Sequence, residues 1–82
     1  MPKRSYDDFA AVIAGYQAPP SDAALTDLIA GTIALDPDDV DEEMTGFARS
    51  RIALAYRTGD VATHLRHLYD VLTTVEQRLG QA

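Results

Sequence analysis

The chain contains no cysteine and no tryptophan, and Lys3 is its only lysine. Without cysteine it can form no disulfide, thiolate metal site or cysteine nucleophile, which favours a reducing compartment. No apolar run approaches the roughly 20 residues that span a bilayer, and the basic start is followed by an aspartate pair rather than an apolar signal segment. We therefore expect a cytoplasmic protein without membrane association. Six arginines against one lysine indicate a GC-rich bacterial gene.

Sequence patterns of common catalytic sites are also missing. The chain has no glycine-rich phosphate loop, no Gly-x-Ser-x-Gly elbow and no paired acid and base. We expect no enzyme activity, no cofactor and no small-molecule substrate. His64 and His67 share a helix flank with Asp60, an arrangement that can bind a divalent metal. Since no fourth ligand is evident, we interpret the pair as surface or partner-facing residues and expect no metal.

The length of 82 residues predicts a single domain over 1–82, with 1–4 as a flexible tail. A chain of this size buries only about 60–65% of the surface that its unfolded state exposes. Its core is therefore thin, and small domains of this kind commonly gain stability by self-association.

Apolar residues recur at helical spacing, and no strand or hairpin signal is present. The clearest stretch follows Asp60, where aliphatic residues at alternating intervals of four and three form one ridge along a helix. The ridge residues are Val61, Leu65, Leu68, Leu72, Val75 and Leu79. The spacing predicts an all-α four-helix bundle with helices over about 6–17, 22–35, 37–58 and 60–79. Gly59, as a left-handed helix stop, folds the last two helices into an antiparallel hairpin.

Acidic residues are concentrated at the predicted start of the third helix, where Asp36–Glu43 holds six acids in eight residues. The segment lacks the glycine and the alternating oxygen ligands of a calcium-binding loop. Its acids match the positive end of a helix dipole, or they form a phosphate-like patch for a basic partner. The candidate partner-binding residues here are Asp38, Asp39, Asp41 and Glu42.

Arg51 falls inside the apolar arc of the third helix on a helical projection. A buried guanidinium needs a partner, because an unpaired buried charge is strongly destabilising. The alternatives are Glu76, a carboxylate of another subunit or of a binding partner, and water reached by extending the side chain. The tyrosines are either contact anchors or packing residues with hydrated hydroxyls. The candidate partner-binding residues outside the acidic segment are Arg51, His64, His67 and Tyr69.

Two short segments resemble known families. One, similar to the helix junction of a tetratricopeptide repeat, consists of Ala53–Asp60 followed by Leu65, Tyr69 and Leu72. It implies a helical hairpin, and the chain contains no second copy of the motif. The other, Leu35–Asp41, resembles the first loop of acyl and peptidyl carrier proteins, which are small, acidic and helical. That family carries its pantetheine arm on a serine in an Asp-Ser-Leu context, whereas the nearest serine here is Ser50, between two arginines.

These observations favour a non-enzymatic protein–protein interaction module, either self-associating as a homodimer or acting as a small accessory or regulatory subunit of a bacterial complex. We expect the protein partner to cover apolar surface left on helices 3 and 4, and the acidic start of helix 3 to steer a basic patch toward it. One alternative is an acidic inhibitor or nucleic-acid mimic. Another is a helical DNA-binding regulator, although a net charge of −6 opposes contact with phosphates. Its contact residues would be Arg49, Arg57, Arg66 and the pair Lys3-Arg4.

Overall fold

The computed structural model describes residues 4–16 and 19–80, and these residues form helices and connecting turns without a strand. The elements are α1 (Tyr6–Ala14), α2 (Asp22–Ile33), a 3-10 turn (Pro37–Asp39), α3 (Glu42–Thr58) and α4 (Val61–Gly80). The predicted all-α four-helix bundle is confirmed, with α3 and α4 as its most extensive helix pair. None of these helices combines the length and apolarity needed to cross a membrane.

Short polar side chains begin the helices, as their sequence positions predict. Ser5 accepts a hydrogen bond from the Asp8 amide at 3.2 Å, and Ser21 accepts one from the Ala24 amide at the same distance. Such caps satisfy amides that have no partner within the helix. At the other end of α3, Gly59 adopts the left-handed conformation with φ 78°. The chain thereby reverses direction between α3 and α4.

The start of α3 differs from the prediction. Asp36 caps a short 3-10 turn instead of the helix, Val40 is extended, and Asp41 then caps α3 by accepting from the Met44 amide at 2.9 Å. The extended residue allows the half-buried Val40 side chain to pack against the core. Two capping aspartates lie in one acidic segment, and α3 begins after the second.

The first two helices are shorter than predicted. α1 ends at Ala14, and residues 17 and 18 lie outside the described residues. α2 ends at Ile33 because Ala34 adopts a left-handed conformation with φ 57°. After this reversal the half-buried Leu35 packs against the core.

The aliphatic ridge of α4 forms the centre of the core. Leu65, Leu68 and Leu72 are at most 2% exposed, and the apolar residues of α1 and α2 belong to the same buried cluster. The first two helices of the same chain therefore help to cover the central part of the ridge. The C-terminal end of the ridge is open, where Leu79 is 51% exposed.

Arg4 does not behave as part of a flexible tail. Its guanidinium donates to the Leu28 carbonyl at 3.2 Å and to the Thr32 hydroxyl at 3.4 Å, and it lies directly over Gly31. Its own carbonyl accepts a hydrogen bond from the Tyr69 hydroxyl at 2.7 Å. These contacts fix the segment before α1 against α2 and α4. The rest of the expected tail, residues 1–3, lies outside the described residues.

Candidate interaction surface

The acidic candidates Asp38, Asp39, Asp41 and Glu42 are all exposed, on the 3-10 turn and at the beginning of α3. Asp41 has a structural role as the cap of α3. The others place negative charge near the positive end of the α3 dipole, which is stabilising at any protein surface. The segment therefore combines a role in folding with a local negative field that extends into solvent.

Arg51, His64 and His67 come together around Phe47 on the flank between α3 and α4. The Arg51 guanidinium donates to Nδ1 of His64 at 3.2 Å and lies 5.7 Å from the centroid of the Phe47 ring. Since arginine can only donate, Nδ1 accepts, and the proton of the neutral ring lies on Nε2. The His67 ring centroid is 6.0 Å from that of Phe47. Arg51 is half-buried and bonded to a histidine, a partner that the sequence alternatives did not include.

Tyr69 is a packing residue. It is 9% exposed, its ring centroid lies 5.4 Å from that of Phe9 and 5.8 Å from that of Tyr6, and its hydroxyl bonds the Arg4 carbonyl. The packing interpretation is confirmed, although the hydroxyl bonds the backbone rather than water. Most of the side chain is enclosed by its own protomer.

The histidines do not assemble a metal site with the acids around them. Within the described ranges, no three histidine, aspartate or glutamate side chains lie close enough together to hold a metal ion. His64 instead accepts from Arg51, and Asp60 caps α4 by accepting from the Thr63 amide at 3.4 Å.

An apolar cavity of about 340 Å³ opens beside α3, and no sequence pattern predicted it. The Tyr56 side chain is 54% exposed at this site, while its hydroxyl donates to the Ile13 carbonyl at 3.3 Å. Two consecutive prolines also form part of the wall. The lining residues are Tyr16, Pro19, Pro20, Arg49, Ile52, Ala53 and Tyr56.

The side of α3 opposite its buried residues is not covered by another described element. Glu43, Ser50 and Arg57 lie along its midline at intervals of seven residues, and all three are exposed. Neither charged residue has an ion-pair partner within the described part of the chain. One flank carries the half-buried side chains of Phe47 and Leu54. The other flank carries Gly46 and Ala53, which have little or no side chain. We call this surface the α3 outer face: Glu43, Gly46, Phe47, Ser50, Ala53, Leu54 and Arg57.

Comparison with known proteins adds no relative. No protein-family model, curated protein or solved structure matched this chain.

Proposed function

We propose that this protein is a non-enzymatic protein–protein interaction module that self-associates through the α3 outer face. The observation that supports this most directly is that Phe47 and Leu54 remain partly exposed there, on a helix whose opposite side is fully used in the core. Exposed charges of both signs at the two ends, Glu43 and Arg57, give the surface polar ends around an apolar flank. Protein interfaces combine apolar contact area with polar groups, and the α3 outer face supplies both along one helix.

The expected dimer is weak. Stable interfaces bury about 1,200–2,000 Å² in total, and contact between two helices of 17 residues, each roughly 25 Å long, lies at the low end of this range. The net charge of −6 on each copy adds repulsion, which salt screens over about 8 Å at physiological ionic strength. Association should therefore be measured at physiological salt and at high protein concentration.

The test is sedimentation velocity over a dilution series from about 1 mM to about 10 μM, the range in which a small interface associates. We expect the wild-type protein to shift from dimer to monomer on dilution. Leu54→Glu places a charge in the apolar flank and should leave only monomer. Leu79→Glu is the matched control, because it changes an exposed leucine outside the α3 outer face.

Circular dichroism of each variant separates loss of association from loss of folding. A wild-type protein that is monomeric at every concentration would contradict self-association. Equal weakening by both leucine variants would instead assign the effect to added charge alone.

The exposed acids support a second candidate, an acidic inhibitor that binds a basic surface of another protein. Reversing Asp38, Asp39 and Glu42 to lysine, while keeping the capping Asp41, should abolish binding to such a partner and leave the helix content unchanged. Retained binding of a basic protein by the reversed variant would exclude this function.

A further inference from the structure

We propose that two copies pair antiparallel through α3 about a twofold axis at Ser50, so that Glu43 of each copy faces Arg57 of the other. The inference rests on the proposed self-association and specifies its geometry. The partner that binds the α3 outer face is a second copy of this chain.

The spacing of the midline residues makes α3 complementary to itself. Glu43 and Arg57 each lie seven residues from Ser50, which is two helical turns or about 10 Å along the axis. A twofold axis through Ser50 therefore superimposes the position of each charged residue on that of the opposite charge in the second copy. Two equivalent ion pairs result, and both use residues that lack an ion-pair partner in the described protomer.

The flanks of α3 agree with the same axis. On one flank, Phe47 lies three residues before Ser50 and Leu54 lies four residues after it. Phe47 of each copy therefore meets Leu54 of the other copy. Gly46 and Ala53 are related in the same way on the other flank, where no large side chain holds the two helices apart. A Cβ atom added at Gly46 would meet no atom within 4 Å, so the protomer itself does not require glycine there.

Electrostatics favour the antiparallel over the parallel arrangement. All the acids of Asp36–Glu43 lie at or before the first turn of α3, and Arg57 lies in its last turn. A parallel pair would place the two acidic segments side by side. An antiparallel pair separates them by about the length of α3, roughly 25 Å, well beyond the screening length of about 8 Å. It also brings each acidic start to the basic end of the other helix and opposes the two helix dipoles.

A charge-exchange experiment tests this geometry. Glu43→Arg and Arg57→Glu each place like charges at both contacts, so each variant alone should dimerise about tenfold more weakly than the wild-type protein, or not at all. In an equimolar mixture of the two variants, one copy has arginine at both midline positions and the other copy has glutamate at both. Both contacts are then complementary, and the mixture should form a heterodimer with at least wild-type affinity.

The controls reverse the same charges at equivalent helix positions elsewhere. Asp7→Arg lies in the first turn of α1, and Arg78→Glu lies in the last turn of α4. Each should keep the wild-type dimerisation constant, and mixing them should change nothing. Sedimentation velocity gives the constants, and mass spectrometry under native conditions identifies the heterodimer.

The outcomes distinguish this inference from the proposed function. If the wild-type protein dimerises and both charge variants dimerise equally well, a different face is used, so the geometry is wrong while self-association stands. If each variant loses dimerisation but the mixture does not regain it, the register is wrong. A monomeric wild-type protein contradicts the proposed function, and the geometry fails with it.

Discussion

Two glycines in and after α3 are expected to respond oppositely to alanine. Gly46 is inside the helix with free space around its Cα atom, so Gly46→Ala should raise the free energy of unfolding by about 0.5–1 kcal/mol. Gly59 has φ 78°, a conformation that costs an L-residue about 1–2 kcal/mol, so Gly59→Ala should lower it. Urea unfolding at low protein concentration measures both, and a stabilising Gly59→Ala would contradict the left-handed turn.

Tyr16 should make stability depend on alkaline pH. Burial raises the pKa of its hydroxyl above 10.0; the Asp27 carboxylate adds to this effect and the Arg4 guanidinium opposes it. Because the folded state has the higher pKa, its contribution is complete below pH 10 and is lost as pH rises through the folded value. Tyr16→Phe should lose less stability than the wild-type protein between about pH 9 and about pH 11 in urea titrations.

Single residues were predictable where one side chain decides the outcome. The stop at Gly59 depends only on neighbouring amides and backbone angles, so local sequence was sufficient. The partner of Arg51 was not predictable, because His64 reaches it only through the angle and offset between α3 and α4.

At the scale of the helices, the contacts of Arg4 are expected to stabilise the packing of α2 against α4. Arg4→Ala removes two hydrogen bonds to α2 and should lower the free energy of unfolding by about 1–2 kcal/mol. Tyr69→Phe removes only the bond to the Arg4 carbonyl and should cost about 1 kcal/mol, since the ring packing remains. Chemical denaturation gives both values, with Arg78→Ala as the exposed control. An Arg4→Ala value equal to that control would show that the segment before α1 is not held.

The end of α2 and the start of α3 differ from the boundaries that the sequence predicted. Ala34 takes the left-handed conformation although glycine is the usual residue there, and Val40 is extended between two capping aspartates. In both places an apolar side chain at the interruption, Leu35 or Val40, packs against the core. A pattern along the sequence carries the helical period but not the direction in which the core lies.

At the scale of the whole molecule, two substitutions in the ridge of α4 are expected to change the free energy of unfolding by very different amounts. Leu68 is 0% exposed, so Leu68→Ala leaves a cavity and should cost about 2–5 kcal/mol, a large part of the stability of so small a domain. Leu79 is 51% exposed, and Leu79→Ala should change the free energy of unfolding by less than about 0.5 kcal/mol. Thermal and urea unfolding of the two variants at equal concentration provide the comparison. Similar losses at the two positions would mean that the end of α4 is covered in solution.

The sequence by itself determined the helical class, the number of helices, most of their caps and the hairpin of the last two. These features follow from the spacing of apolar residues and from single capping residues, which act over one or two turns. Only the tertiary structure decided that α1 and α2 cover the centre of the ridge, that Tyr69 is enclosed, and that the outer side of α3 is left open. The pairing of apolar faces depends on how helices that are far apart in the sequence are placed relative to one another. The spacing of residues along one helix does not give this placement.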